Sequence, residues 1–207
     1  MVKRYDVVII PTPEVARAAC ELSQLVASRY DTCFILNDTN QVPHLSLYHF
    51  AAHEEKLSDI IEALGERFAS QEAFMLQAVG YDRDNMPWLQ ALYERSEHLS
   101  NLHESVLEAV APFHEKRKNY NQTEEWSTMS LVRKENLERY GWSEAGSLYK
   151  PHITLTRFDE AIDQDNIPPF PASMTSFMVT KLGLYELGDY GTCHNLLAQF
   201  NLNTPIV

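Results

Sequence analysis

Apolar positions recur at steps of three and four in three stretches of the chain and at steps of two in several others. Val15, Ala18, Leu22 and Leu25 form a helical stripe to about Arg29. It is entered through Thr12 and Pro13, an N-cap followed by a favoured first helical residue, with Glu14 placed for the helix dipole. Leu57, Ile60, Ile61, Leu64 and Phe68 predict a second helix, and Leu99, Leu102, Val106 and Val110 a third over about residues 95–111, stopped at Pro112. A short helix is expected at Lys134–Tyr140, where Gly141 can end it. Strands are expected at Tyr5–Ile10, Thr32–Leu36, residues 44–50, Ala73–Val79, Pro87–Tyr93 and residues 152–158. Thr175–Leu187 and Cys193–Leu202 read as a hairpin around Gly188-Asp189-Tyr190-Gly191.

Two of these strands are near-copies. Pro43–Phe50 reads PHLSLYHF and Pro151–Phe158 reads PHITLTRF, with Pro, His, Leu and Phe identical and Leu45/Ile153 and Ser46/Thr154 exchanged like for like. Each carries His-x-(Ser/Thr)-Leu. The tripeptide alone is weak, since His98-Leu99-Ser100 and His103-Glu104-Ser105 also match. Those two lie in the third helix, where positions i and i+2 do not face each other, and read as helix-surface residues. On a strand, i and i+2 share a face. Alternation then puts His44, Ser46 and Tyr48, and His152, Thr154 and Thr156, on one side of their strands. Leu45, Leu47, Ile153 and Leu155 anchor the other side.

Two opposed histidines can take complementary roles near neutral pH. One removes a proton from attacking water and the other protonates the leaving oxygen. Ser46 and Thr154 lie two residues along and can donate to a phosphate held between the imidazoles. Tyr48 and Lys150 are further candidates to line the substrate; each also has a structural reading, as a wall residue and as a surface lysine. Tyr149 and Trp88 read as core or rim aromatics. His44, His49 and His53 are rejected as a metal set because alternation turns His49 away from His44. Cys193 and His194 are adjacent and point to opposite faces, against a Cys–His nucleophile pair. There is no Gly-rich phosphate loop and no GxSxG elbow. The duplicated motif predicts an α+β fold of two lobes, with antiparallel sheets and helices outside, related by a pseudo-two-fold axis around a central cleft. The whole of residues 1–207 reads as a single bilobal domain.

The pair PHLSL and PHITL resembles the two-histidine phosphoesterase superfamily, which includes RNA 2′-5′ ligase-like proteins and 2′,3′-cyclic phosphodiesterases. The approach RYGWSEAGSLYKPHITL and the closing LGLYELGDYGTCHNLLAQFNL are similar to the family as well. The resemblance implies a bilobal α+β fold, His44 and His152 as acid and base, Ser46 and Thr154 on the phosphate, and neither metal nor cofactor. Ser46 stands where Thr is often found, keeping the hydroxyl without the β-branch. The expected reaction is hydrolysis of a 2′,3′-cyclic phosphate or related 2′-linked phosphodiester of a nucleotide or RNA end. Two rivals stand beside it: cleavage of 2′-5′ or cyclic oligonucleotides, and a binding module that kept the cleft without turnover.

Composition limits the partners. With 29 acidic against 17 Lys and Arg residues the net charge is −12, which disfavours a groove for long nucleic acid and favours a small nucleotide or a short RNA end. Lys116-Arg117-Lys118 is the only dense basic run, and Asn121-Gln122-Thr123 is a chance glycosylation sequon. No apolar run approaches the length of a membrane span. Three cysteines without CxxC spacing point to a reducing, cytoplasmic setting.

Overall fold

In a computed structural model, residues 1–84, 87–115, 124–160, 162 and 166–203 are described. The basic run 116–118 and the sequon 121–123 lie outside them. Eight strands appear in chain order: β1 (Val2–Ile9), β2 (Leu45–His53), β3 (Phe74–Tyr81), β4 (Trp88–Tyr93), β5 (His152–Arg157), β6 (Ser176–Val179), β7 (Lys181–Leu187) and β8 (Cys193–Asn201). The helices are α1 (Pro13–Ala27), α2 (Leu57–Phe68), α3 (Glu97–Val110), α4 (Glu124–Thr128) and α5 (Leu131–Tyr140). The fold is α+β, as the periodicities predict. Gly141 ends α5 in the left-handed region at φ 72°, a conformation that costs a residue with a Cβ.

The expectation of two separate sheets needs correction. The strands form one antiparallel sheet in the order β6-β3-β4-β5-β2-β1-β7-β8. β2 and β5, the two histidine strands, lie side by side at its centre and pair at Leu45 and Ile153. Two further expectations change. Thr32–Leu36 is not a strand; only Thr32 bridges, to Phe158. Its amides go elsewhere, that of Cys33 to the Arg157 carbonyl at 2.8 Å and that of Leu36 to Ser23 Oγ of α1 at 2.9 Å. Thr175–Leu187 is two strands broken at Thr180, with β6 on one edge of the sheet and β7 next to the other. A single residue spans that distance only if the sheet curls round. The residues beyond β8 accordingly meet the start of β3, where the Ala73 amide donates to the Asn203 carbonyl at 2.8 Å.

The stripe of α1 buries Val15, Ala18, Ala19, Leu22 and Val26, each large side chain contributing about 1.5–3 kcal/mol. Leu25, expected in that stripe, is exposed, since the buried step from Leu22 is four residues to Val26. Leu45, Leu47, Ile153 and Leu155 are fully buried, fixing the inner side of both histidine strands. Among the described residues no helix is long and apolar enough to cross a membrane.

Candidate active site

Each histidine strand carries one extra residue, at the same place in its motif. Val8 pairs with Ser46 and Val7 with Tyr48, which leaves Leu47 unpaired against β1. Gln90 pairs with Thr154 and Leu89 with Thr156, which leaves Leu155 unpaired against β4. A bulge of one residue reverses the alternation beyond it. Up to the hydroxyl residue, the faces are those the sequence predicts. Past it they exchange.

The exchange corrects the placement of Tyr48. Its ring is fully buried against Phe50, with centroids 5.2 Å apart, and its hydroxyl donates to the Tyr140 carbonyl. It does not line the cleft. Thr156 turns inward in the same way, donating to the Phe34 carbonyl at 2.7 Å. His49 takes the place expected for Tyr48. Its Nε2 lies 2.9 Å from Ser46 Oγ and 3.0 Å from Asp6 Oδ2. The ground on which alternation separated His49 from His44 therefore fails. His53 stands apart at the end of β2, 3.5 Å from Glu115. Cys193 is buried and His194 exposed, on opposite faces as predicted.

His44 and His152 are held alike. Nδ1 of His44 is 2.8 Å from the Val42 carbonyl, and Nδ1 of His152 is 2.7 Å from the Lys150 carbonyl. A carbonyl only accepts, so each Nδ1 carries a proton, and in the neutral ring Nε2 keeps the lone pair. In both strands the accepting residue is two back, across the motif's proline. Around the Leu45–Ile153 pair, antiparallel register sets His44 beside Thr154 and Ser46 beside His152. The structure thus brings the four motif side chains to one face at the centre of the sheet.

The two halves differ electrostatically. Burial pushes the pKa of His152 down to about 4, and the charges of His49 and His44 press the same way. Burial also lowers that of His44, but there the Asp6 carboxylate opposes it most strongly, from 3.6 Å. The hydroxyls differ too. Ser46 Oγ donates to Asp6 Oδ2 at 2.7 Å, so its single proton is already engaged. Thr154 Oγ1 lies 3.5 Å from Gln90 Nε2, which donates to it and leaves the threonine proton available. Lys150 Nζ is bonded to buried Asp82, and its side chain is 54% exposed. Tyr149 is a buried positioning residue whose hydroxyl donates to the Ser46 carbonyl at 3.0 Å. Trp88 is half-buried under the Arg157 guanidinium.

Two residues that sequence reasoning missed, or turned away, now stand in the site. Asp6 is fully buried, and an acidic residue within the apolar run YDVVII was the available signal. His49 was visible but assigned to the wrong face by strict alternation.

Solved structures share this fold. TT0787 of Thermus thermophilus aligns with 96% of this chain and 97% of its own, at a TM-score of 0.63 and 21% identity. E. coli LigT in apo form aligns over 98% and 99%, at 0.60 and 18%. E. coli LigT complexed with 3′-AMP aligns over the same shares, at 0.61 and 19%. No curated protein sequence matches. The sequence itself matches the 2′-5′ RNA ligase superfamily over residues 13–190, most of its length, and the chain belongs to that two-histidine superfamily.

Proposed function

We propose that the chain is a metal-independent phosphoesterase that opens a 2′,3′-cyclic phosphate, or a related 2′-linked phosphodiester, on a nucleotide or short RNA end. The observation that carries this reading is the pair of imidazoles held alike, Nδ1 of each fixed to a carbonyl two residues back. Superfamily membership supports phosphoester chemistry.

In this reading His152 is the base. Its lowered pKa keeps it neutral at pH 7, able to take the proton of attacking water. As water oxygen bonds to phosphorus, the bond to the 2′ or 3′ oxygen breaks. His44, protonated at Nε2 in the reacting state, gives that proton to the leaving oxygen. Burial lowers its pKa, and the Asp6 carboxylate 3.6 Å away is the strongest influence in favour of the charged form. Thr154 donates to the phosphate, where negative charge grows in the transition state. The net charge of −12 favours a substrate with few phosphates, and the fold shared with a 3′-AMP-bound relative fits that size.

The test is a panel of 2′,3′-cyclic mononucleotides, 2′-5′ dinucleotides and RNAs ending in a cyclic phosphate, with phosphorus NMR of each product. Turnover of the cyclic mononucleotides in EDTA supports the reading. Cleavage confined to 2′-5′ linkages selects the oligonucleotide reading. Binding without turnover across the panel selects the binding module.

A further inference from the structure

We propose that Asp6, His44 and Cys193, with His49 on their open side, form a site for a thiophilic divalent cation of the zinc class, and that a cation there withdraws His44 from turnover. The donor atoms of Asp6, His44 and Cys193 all lie within 4.8 Å of one another, and all three residues are buried. Asp6 Oδ2 is the common point. It stands 3.6 Å from His44 Nε2, 3.0 Å from His49 Nε2 and 3.7 Å from Cys193 Sγ. Bonds of about 2.0 Å to nitrogen or oxygen and about 2.3 Å to sulfur give a tetrahedron with edges of about 3.3 Å for N···O and about 3.5 Å for S···O. The three separations fall close to those edges.

The surroundings fit a metal as well as the spacing does. The His44 Nδ1 proton is held by the Val42 carbonyl, the outer hydrogen bond that fixes a metal-bound imidazole and turns its Nε2 lone pair to the ion. Asp6 is fully buried, and among the described residues its Oδ1 has no hydrogen-bond partner. Ser46, His49 and Cys193 all meet Oδ2, so one oxygen of this buried carboxylate stays uncompensated, a cost that a bound cation offsets. One carboxylate and one thiolate cancel a divalent charge, the neutral His44 imidazole is the third ligand, and the fourth position opens toward His49. Burial raises the pKa of the Cys193 thiol, so the ion must displace its proton, as thiolate-binding metals do. His49, 28% exposed at its side chain, is the open side of the cluster. Three donors of the Cys, His and Asp kinds select zinc, or cobalt as its spectroscopic stand-in, over magnesium or calcium, which prefer oxygen.

The site's existence rests on geometry alone; its inhibitory effect rests also on the proposed role of His44. The experiment titrates cobalt(II) into the purified, reduced full-length protein and follows thiolate-to-cobalt charge-transfer absorption. Cyclic-phosphate turnover is measured in parallel, with zinc added and then chelated. The expected result is one charge-transfer band saturating near one equivalent, loss of turnover with zinc, and recovery with EDTA. Cys193→Ser should lose the band, keep turnover, and need roughly tenfold or more zinc for the same inhibition. No band in the wild-type protein, or an unchanged band in Cys193→Ser, overturns the site. Cobalt bound through Cys193 with turnover unaffected overturns the inhibition. X-ray absorption of the zinc-loaded wild-type protein decides the ligand set without a variant: one sulfur with nitrogen and oxygen neighbours supports it, and a shell without sulfur overturns it. The spectra need no turnover, so a protein inactive on every phosphodiester still reports on the site.

Discussion

His103 donates from Nδ1 to the carbonyl oxygen of Leu47, 2.8 Å away, and Leu47 is the extra residue that reverses the faces of β2. The tautomer follows from the other nitrogen, which accepts the Gly146 amide at 2.9 Å and therefore carries no proton. Fully buried in α3 and stacked on Tyr149 at 4.0 Å, His103 corrects its reading as a helix-surface residue. It supplies a donor to a carbonyl at the bulge.

Replacing His103 with Leu should therefore cost more than its volume. The Leu47 carbonyl and the Gly146 amide both lose a partner in the interior, a cost of about 1–3 kcal/mol each. Chemical denaturation measures it. A variant as stable as the parent would show that both groups find other partners.

His103 also predicts how stability depends on pH. Burial lowers its pKa from 6.5 to about 4. The unfolded chain then binds this proton more readily than the folded one, so stability falls as pH drops from about 6.5 to about 4. The group's full share is on the order of 3 kcal/mol. Melting curves across that window should slope less steeply in His103→Leu than in the parent, and parallel slopes would assign the dependence to other groups.

His44→Ala and His152→Ala should each slow turnover by roughly 10²–10⁴-fold, with the double variant losing much less than the product of the two. The rate should follow a bell-shaped pH profile. Asp6 favours the charged form of His44, so Asp6→Asn should move the high-pH limb toward lower pH. A fixed limb in a folded Asp6→Asn protein would detach Asp6 from the acid.

The hydroxyls should respond unequally. Ser46 already gives its proton to Asp6, whereas Thr154 has one to give. Thr154→Val should lower kcat/KM by roughly 10²-fold or more, the scale of one lost donor to a developing negative charge. Ser46→Ala should do less to turnover at low substrate and more to the pH profile. Equal losses in kcat/KM would mean that Ser46 turns to the phosphate when substrate binds.

How far the sequence reached depends on what a two-residue period can carry. The three long helices came through because their apolar stripes run over several turns, as in Val15 to Leu22 of α1, whereas the five-residue α4 carries no stripe and was not read. The near-repeat located both histidine strands and the motif side chains at their starts. Beyond Leu47 and Leu155 the period fails, since nothing in LSLYH or ITLTR marks which residue is extra; Tyr48 and His49 were exchanged for that reason. The break at Thr180 left only a faint trace. The buried apolar positions are Phe177 and Val179 before it and Leu182 and Leu184 after it, a change of phase across two exposed residues that reads as one irregular strand. The change of sheet position is set by partners far away in the chain.

That break has a mechanical consequence. β6 and β7 occupy distant positions in the strand order, yet Thr180 alone joins them, and its carbonyl accepts the Leu202 amide at 2.9 Å. The curled sheet is clasped on the side away from the histidines by the shortest tether a chain allows. Its two flanks cannot swing apart like jaws without breaking backbone pairing at the clasp. A cleft whose width is set by such a tether admits substrate through the movement of what overhangs it. The turn at residues 188–192, with Tyr190 held at φ 55° and Gly191 beside the His49 ring, is such a piece.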